Sequence, residues 1–335
     1  MQERLDALFE GVGGASDLLI LPHNDPDPDA IGAAMALRYL VAEKWDVTAR
    51  IAYKGIIARA ENKALVRYLG RPLHKLTGQD LRQAAAIALV DTQPGAGNNA
   101  LPPDVHAAAV FDHHPWREAT ATARFADVRA DLGATSTLLF QYLRAADLEP
   151  PAPLATALFY GIKTDTLGLG RGSTQLDVDA YFYLQTRIDV EALVKIEHAQ
   201  VPAEYFCRLD AALHSALVYE HVVISYVGAM DRPDLVAEMA DLLLRLEGIQ
   251  WVICMGHYAD KLSLAVRTRN TRGGAGNLVQ EIVAQMGTAG GHGSMAGGDV
   301  PVGDQDPEQL ARQLGERILR RLAIPVGVVG RPLLA

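Results

Sequence analysis

The sequence predicts an α/β protein: a parallel-sheet N-terminal domain followed by a smaller α+β C-terminal domain. Three observations carry this. Short apolar runs ending at polar or Gly/Pro-containing stops alternate with segments of helical spacing over the first two-thirds of the chain. Near Tyr219 the pattern changes to a strand of strict alternation and β-rich runs, interleaved with amphipathic helices. The 335 residues exceed the roughly 250–300 at which one core stops growing, so two domains are expected.

Taken in order, residues 18–21 form an apolar run closed by Pro22. A polar loop then leads into residues 30–41, apolar at helical spacing. Residues 84–90 and 107–111 are further apolar runs, stopped by Asp91 and by Asp112-His113-His114-Pro115. Periodicity alone fits such runs to buried strands or to pieces of helix. Their shortness and their stops favour strands of a parallel sheet. Residues 132–146 and 154–163 read as helices, with Thr135 and Ser136 as cap or first-turn residues of the former. Residues 189–217 are helical in pattern, broken at Pro202, and join the halves. In the second unit, residues 221–227, 251–255 and 262–267 read as strands and residues 235–246 and 278–286 as helices. The expected division is a domain over 1–190, a helical linker over 191–218, and a second domain over 219–335.

Composition narrows the function. With 31 basic and 40 acidic residues the net charge is −9, which argues against a broad grip on long duplex DNA. A hydrophobic content of 49% with 21% charged residues belongs to a folded chain. No apolar run approaches the roughly 18–20 residues of a membrane span, so no membrane partner is expected. The N-terminus lacks a signal peptide's apolar core. Cys207 and Cys254 are too few for a disulfide scaffold or a cysteine metal cage. The expected compartment is the cytoplasm.

The chemistry-bearing residues cluster. His23-Asn24-Asp25-Pro26-Asp27-Pro28-Asp29 places an imidazole and three carboxylates together. Like charges this close raise one another's pKa unless a cation intervenes. A solvated acidic turn is the plain alternative, since Asp and Pro favour turns. Asp91 lies just past the second run, Asp112, His113 and His114 past the third, and Asp165 after the 154–163 helix. Ligands of open parallel α/β sheets bind outside the carboxyl ends of the strands, so these clusters would converge on one crevice. Histidine and aspartate donors without cysteine suit Mn²⁺ or Mg²⁺, with Zn²⁺ or Co²⁺ also admitted. One imidazole and four carboxylates exceed the needs of a single zinc. Two ions about 3.5–4 Å apart, bridged by a carboxylate, would use them, activating a water and neutralising a phosphoryl group.

The C-terminal motifs read less sharply. Residues 287–298 are a flexible glycine linker or a place where backbone closely approaches a ligand beside His292. Gly291-His292-Gly293-Ser294-Met295-Ala296 fits a dinucleotide fingerprint but lacks the preceding strand. Arg267, Arg269 and Arg272 before a Gly-rich stretch suit a terminal phosphate. Arg171-Gly172-Ser173-Thr174 is either part of a phosphate pocket or a surface turn.

His23-x-x-x-Asp27-x-Asp29, Asp91, Asp112-His113-His114 and Asp165, in this order, resemble the DHH phosphoesterases. The stretch from Gly290 to Gly298 resembles the GGGH loop of their associated C-terminal domain. That domain occurs in RecJ-like nucleases and in the smaller oligoribonuclease/phosphoadenosine-phosphate phosphatase branch, whose length this chain matches. The resemblance implies that His23 and Asp27 hold one ion, that Asp29, His113 and Asp165 hold the other, and that Asp91 bridges them. It further implies that His114 contacts the scissile phosphate or acts as general acid, and that Asp112 orients a ligand histidine. Arg267, Thr268, Gly290, Gly291 and His292 would bind substrate. Two departures stand out: Pro28 replaces a frequent Gly, and Ala289-Gly290-Gly291-His292 is one Gly short.

The implied activity is Mn²⁺-dependent hydrolysis, with Mg²⁺ or Co²⁺ as alternative ions. Its substrates would be very short oligoribonucleotides or small nucleotides such as 3′-phosphoadenosine 5′-phosphate, bound in a cleft between the domains. A cyclic-dinucleotide phosphodiesterase, a pyrophosphatase or exopolyphosphatase, and a non-catalytic nucleotide-binding module are the competing readings. A homodimer is admitted.

Overall fold

The computed structural model describes the chain except Gly13, Thr271, Arg272, Val326 and Ala335, and at His292 it describes the backbone alone. Arg272 and the His292 side chain, both expected near a phosphate, therefore lie outside the described residues. Two compact units divide the chain, Met1–Gln200 and Val201–Ala335.

The first unit runs α1 (Gln2–Val12), β1 (Asp17–Pro22), α2 (Pro28–Trp45), β2 (Thr48–Tyr53), α3 (Ala60–Tyr68), β3 (Leu73–Lys75), α4 (Gly78–Gln83), β4 (Ala86–Val90), β5 (Ala109–Asp112), β6 (Phe125–Val128), α5 (Thr135–Ala145), α6 (Ala152–Asp165), α7 (Gln175–Gln185) and α8 (Val190–Glu197). Its six described strands lie in the order β3-β2-β1-β4-β5-β6, all parallel. The apolar runs are strands because both their faces are covered. Leu18, Ile20, Ala88, Val90, Ala109 and Phe111 enter one core with α1, α2, α5 and α6. Leu19, Leu21, Ile87, Leu89 and Val110 enter a second, smaller core on the opposite face. That alternation separates strand from helix, which an unbroken apolar run cannot do.

The chain leaves β1 towards one edge and returns through β4 on the other side, so the gap between these strands is the switch point of the sheet. At that end α2 begins with Pro28 in its first turn, where a missing N–H costs nothing. The departure at Pro28 is thus a helix start. Gly161 of α6 lets that helix close on α2: a Cβ there would lie 2.9 Å from the Asp29 Cα and 2.6 Å from the Ser136 Oγ.

The second unit runs α9 (Ala203–Ser215), β7 (Leu217–Tyr219), β8 (Val222–Ala229), α10 (Leu235–Leu243), β9 (Trp251–Tyr258), β10 (Lys261–Thr268), α11 (Ala275–Val283), β11 (Thr288–His292), β12 (Met295–Pro301), α12 (Pro307–Arg321) and β13 (Arg331–Pro332). Its described strands form one mixed sheet, ordered β11-β12-β10-β9-β8-β7-β13, in which β8 and β9 are parallel. The stretch expected to join the halves is divided between them: α8 packs on α3 and α6 in the first unit, α9 on β8 in the second. The glycine segment expected as a loop or linker is instead the β11–β12 hairpin, pairing Gly290 with Gly297 and Gly291 with Ala296. Glycine suits it because Gly291, at φ 126°, lies so close to β12 that a Cβ would come 2.4 Å from the Ala296 Cα.

Candidate metal centre

Three adjacent strands deliver the site. The loop after β1 carries His23 and Asp27, Asp91 follows β4, and Asp112 ends β5, with His113 and His114 beyond it. Asp29 lies in the first turn of α2 and Asp165 in the last turn of α6. Three donor groups, each with its ligand atoms within 4.8 Å of one another, result: His23, Asp27 and Asp91; Asp29, His113 and Asp165; and Asp91, His113 and His114.

Asp91 joins these groups. Its Oδ2 stands 3.5 Å from the His23 Nε2, while its Oδ1 stands 3.6 Å from the His113 Nε2 and 3.7 Å from the His114 Nδ1. The His113 Nε2 is 3.2 Å from Asp165, and the His23 Nε2 is 3.6 Å from Asp27. Most of these separations are too long for good hydrogen bonds. They are close to the spacing of donors that share an ion, about 3.0–3.4 Å apart when each lies about 2.1 Å from it.

Local structure aims each donor. The His23 Nδ1 lies 2.7 Å from the Asn24 carbonyl oxygen, so that nitrogen carries the hydrogen and Nε2 faces the site. The Leu132 carbonyl, 3.3 Å from the His113 Nδ1, does the same for His113. Asp27 caps α2, its Oδ1 accepting from the Ala30 N–H at 3.0 Å. Asp29 does for α5 what Ala134, at that helix's own cap position, cannot. Its two oxygens accept the Thr135 and Ser136 N–H groups, each at 2.7 Å. The Thr135 hydroxyl donates to the Asp91 Oδ1 at 2.8 Å. Asp91 itself adopts φ 58°, uncommon outside glycine though tolerated by aspartate. Arg171 donates to the Asp165 carbonyl at 2.7 Å, tying the loop after α6 to the site.

The Asp112 Oδ1 lies 2.8 Å from the His114 Nδ1 and accepts from the His113 N–H at 2.9 Å, while backbone carbonyls orient the rings of His23 and His113. The carboxylate ends β5 and faces the histidine two residues on. Asp25, left out of the ligand set, is bound elsewhere, its Oδ1 accepting from the Ile56 N–H at 2.5 Å. The residues that sequence reasoning missed are the orienting ones. Thr135 and Ser136 read only as helix-start residues. Buried Gln93 donates to the Asp112 Oδ2 at 2.6 Å; its only signal was a polar residue two places beyond Asp91.

In the second unit the Arg267 Nε donates to Asp241 at 2.5 Å, and the guanidinium is largely buried. The Thr268 hydroxyl donates to the Gln250 carbonyl at 3.0 Å. Arg267 pairs in register with Met295, which pairs with His292. The hairpin turn is fastened to β10 and α11, the Thr268 N–H donating to the Ser294 carbonyl and the Ala275 N–H to the Gly293 carbonyl. The end of β10, Gly290, Gly291 and the start of α11 thus gather at one place.

Electrostatics favour a cation at the strand ends. Burial, then the charges of Asp91 and Asp165, push the Asp29 carboxyl well above its ordinary range. Burial, reinforced by Asp27 and opposed by the histidines, raises Asp91 to about 6. The donor set of carboxylates and imidazoles without thiolate fits oxygen- and nitrogen-seeking divalent ions. Burial opposes the charged His23 ring, but Asp27 and Asp91 outweigh it and lift its pKa to about 10. A metal ligand must be neutral, so ion binding through His23 at neutral pH would expel this proton. Affinity for a divalent ion is therefore expected to climb with pH, by about ten-fold per unit for each proton released, until His23 titrates. Calorimetry in buffers of different ionisation enthalpy counts those protons; no proton release at neutral pH contradicts the assignment.

Residues 17–162 match the model of the DHH family, N-terminal domain. An uncharacterised protein of Methanocaldococcus jannaschii is 37% identical over 316 residues, 93% of this chain and 64% of its own. A probable manganese-dependent inorganic pyrophosphatase of Enterococcus faecalis is 28% identical over 167 residues, 49% of this chain and 53% of its own. The chain thus spans between half and two-thirds of the length of these curated relatives. An exopolyphosphatase-related protein from Bacteroides fragilis shares the fold, with TM-score 0.76 and 14% identity over 96% of both chains. No helix among the described residues is long and apolar enough to cross a membrane.

Proposed function

Because residues 17–162 match the DHH family, N-terminal domain, we propose that this chain is a metal-dependent phosphoesterase that hydrolyses very short oligoribonucleotides or small phosphorylated nucleotides. The observation that supports this most is the sharing of Asp91 between donor groups. Manganese is the favoured ion, given oxygen and nitrogen donors and a similar protein named as manganese-dependent. Bound ions would neutralise the phosphoryl group and activate the attacking water.

The chain's own residues do the rest. His23 and Asp27 would hold one ion and Asp29, His113 and Asp165 the other, with Asp91 available to both. Burial opposes the charge on His114, but Asp112 and Asp91 raise its pKa. In its protonated form it would deliver a proton from Nε2 to the leaving oxygen. Asp112 holds that ring by its Nδ1. Arg267, Thr268, Gly290, Gly291 and His292 bind the substrate's terminal phosphate. Few phosphates then need neutralising, which suits a chain at −9 acting on short substrates in the cytoplasm.

Inorganic pyrophosphate is the second reading, favoured by the similarity to the Enterococcus protein. A Mn²⁺ assay on a dinucleotide, a longer oligonucleotide, a cyclic dinucleotide, 3′-phosphoadenosine 5′-phosphate and pyrophosphate separates the two. Turnover of the dinucleotide or the phosphoadenosine phosphate is expected. Turnover of pyrophosphate alone contradicts the proposal.

A further inference from the structure

Trp116 stands two residues beyond His114 and is 54% exposed. Single exposed apolar side chains are common and by themselves mean little. This one differs in how its backbone is held. The buried Gln93 side chain grips both neighbours, donating to the Pro115 carbonyl at 3.0 Å and accepting from the Arg117 N–H at 2.9 Å. The same amide donates to Asp112 at 2.6 Å, and the Thr120 hydroxyl donates to its oxygen at 2.8 Å. One buried side chain therefore fixes the Asp112–His114 pair and the segment that displays the indole. Two residues span at most about 7 Å, so the indole is mounted within a nucleotide's reach of His114.

We propose that Trp116 is a nucleobase platform: a base of the substrate stacks on its indole while the adjoining phosphate lies at His114. The inference rests on the nucleotide reading above and deepens it. An indole face stacks on any base without reading a hydrogen-bond pattern. Selection would then be for nucleotides as a class, against base-free phosphates such as pyrophosphate, with little preference among bases.

The test compares a dinucleotide with its abasic counterpart, which keeps the phosphodiester and lacks the bases, in the wild type, Trp116→Ala and Trp116→Phe. The wild type is expected to prefer the dinucleotide in kcat/KM by on the order of 10- to 100-fold, mainly through KM. That preference collapses towards one in Trp116→Ala and largely returns in Trp116→Phe. An unchanged preference in Trp116→Ala, or none in the wild type, overturns the platform while leaving the hydrolytic reading standing. If the wild type hydrolyses neither compound, the hydrolytic reading fails, and fluorescence then decides the platform. Trp251 is buried and Trp45 packs against Phe9, so Trp116 is the indole open to a ligand. Quenching by the dinucleotide and not by the abasic compound, absent in Trp116→Phe, supports the platform; its absence in the wild type overturns it.

Discussion

Replacing Asp91 with asparagine is expected to bring turnover down to background, a loss on the order of 10³-fold or more. The size follows from position. One oxygen of Asp91 faces His23 and the other faces His113, so a single change reaches the His23–Asp27 group and the His113–His114 group together. The amide that replaces the carboxylate carries no charge, and one of its two ends is a donor that repels a cation. The fold should survive, because Thr135 can still donate to the remaining oxygen and the Asp91 N–H bond to Phe111 is untouched. Unaltered circular dichroism with lost activity is the predicted pair of readings. Substantial activity in Asp91→Asn sinks the shared-carboxylate assignment.

Asp29→Ala is expected to damage stability as well as chemistry. It strands the Thr135 and Ser136 N–H groups at the buried start of α5, at about 1–3 kcal/mol for each unsatisfied donor. The size of the loss depends on the metal. In the ion-free protein the Asp29 charge is itself unfavourable, since burial and the charges of Asp91 and Asp165 raise its pKa. A carboxyl whose folded pKa is raised contributes most at low pH and loses that contribution as pH rises through the folded value. Removing it therefore costs less without metal at neutral pH than with metal, where a cation offsets the repulsion. Chemical unfolding with Mn²⁺ and with a chelator measures both, and equal losses in the two contradict this account.

Much of this arrangement was legible in the chain itself. The apolar runs at 18–21, 84–90 and 107–111 are adjacent parallel strands, and the polar residues that stop them meet because parallel strands all end on one side. What was hidden has particular causes. β2 opens on exposed Thr48 and half-buried Ala49 and Arg50, so no apolar run marks it. β3 and β6 are only three and four residues long. The β11–β12 hairpin is built of glycines, whose low strand propensity disguises pairing set by neighbouring strands. The Thr135 and Asp29 partnership joins residues 106 apart, a separation no local spacing rule reaches. Spacing does not say which of two adjacent imidazoles turns towards Asp112; in the structure it is His114.

Spin resonance during titration of Mn²⁺ into the metal-free protein tests the central claim most directly. The account predicts two ions bound per chain, magnetically coupled through the carboxylate they share, with the coupling absent in Asp91→Asn. Saturation at one uncoupled ion per chain contradicts it.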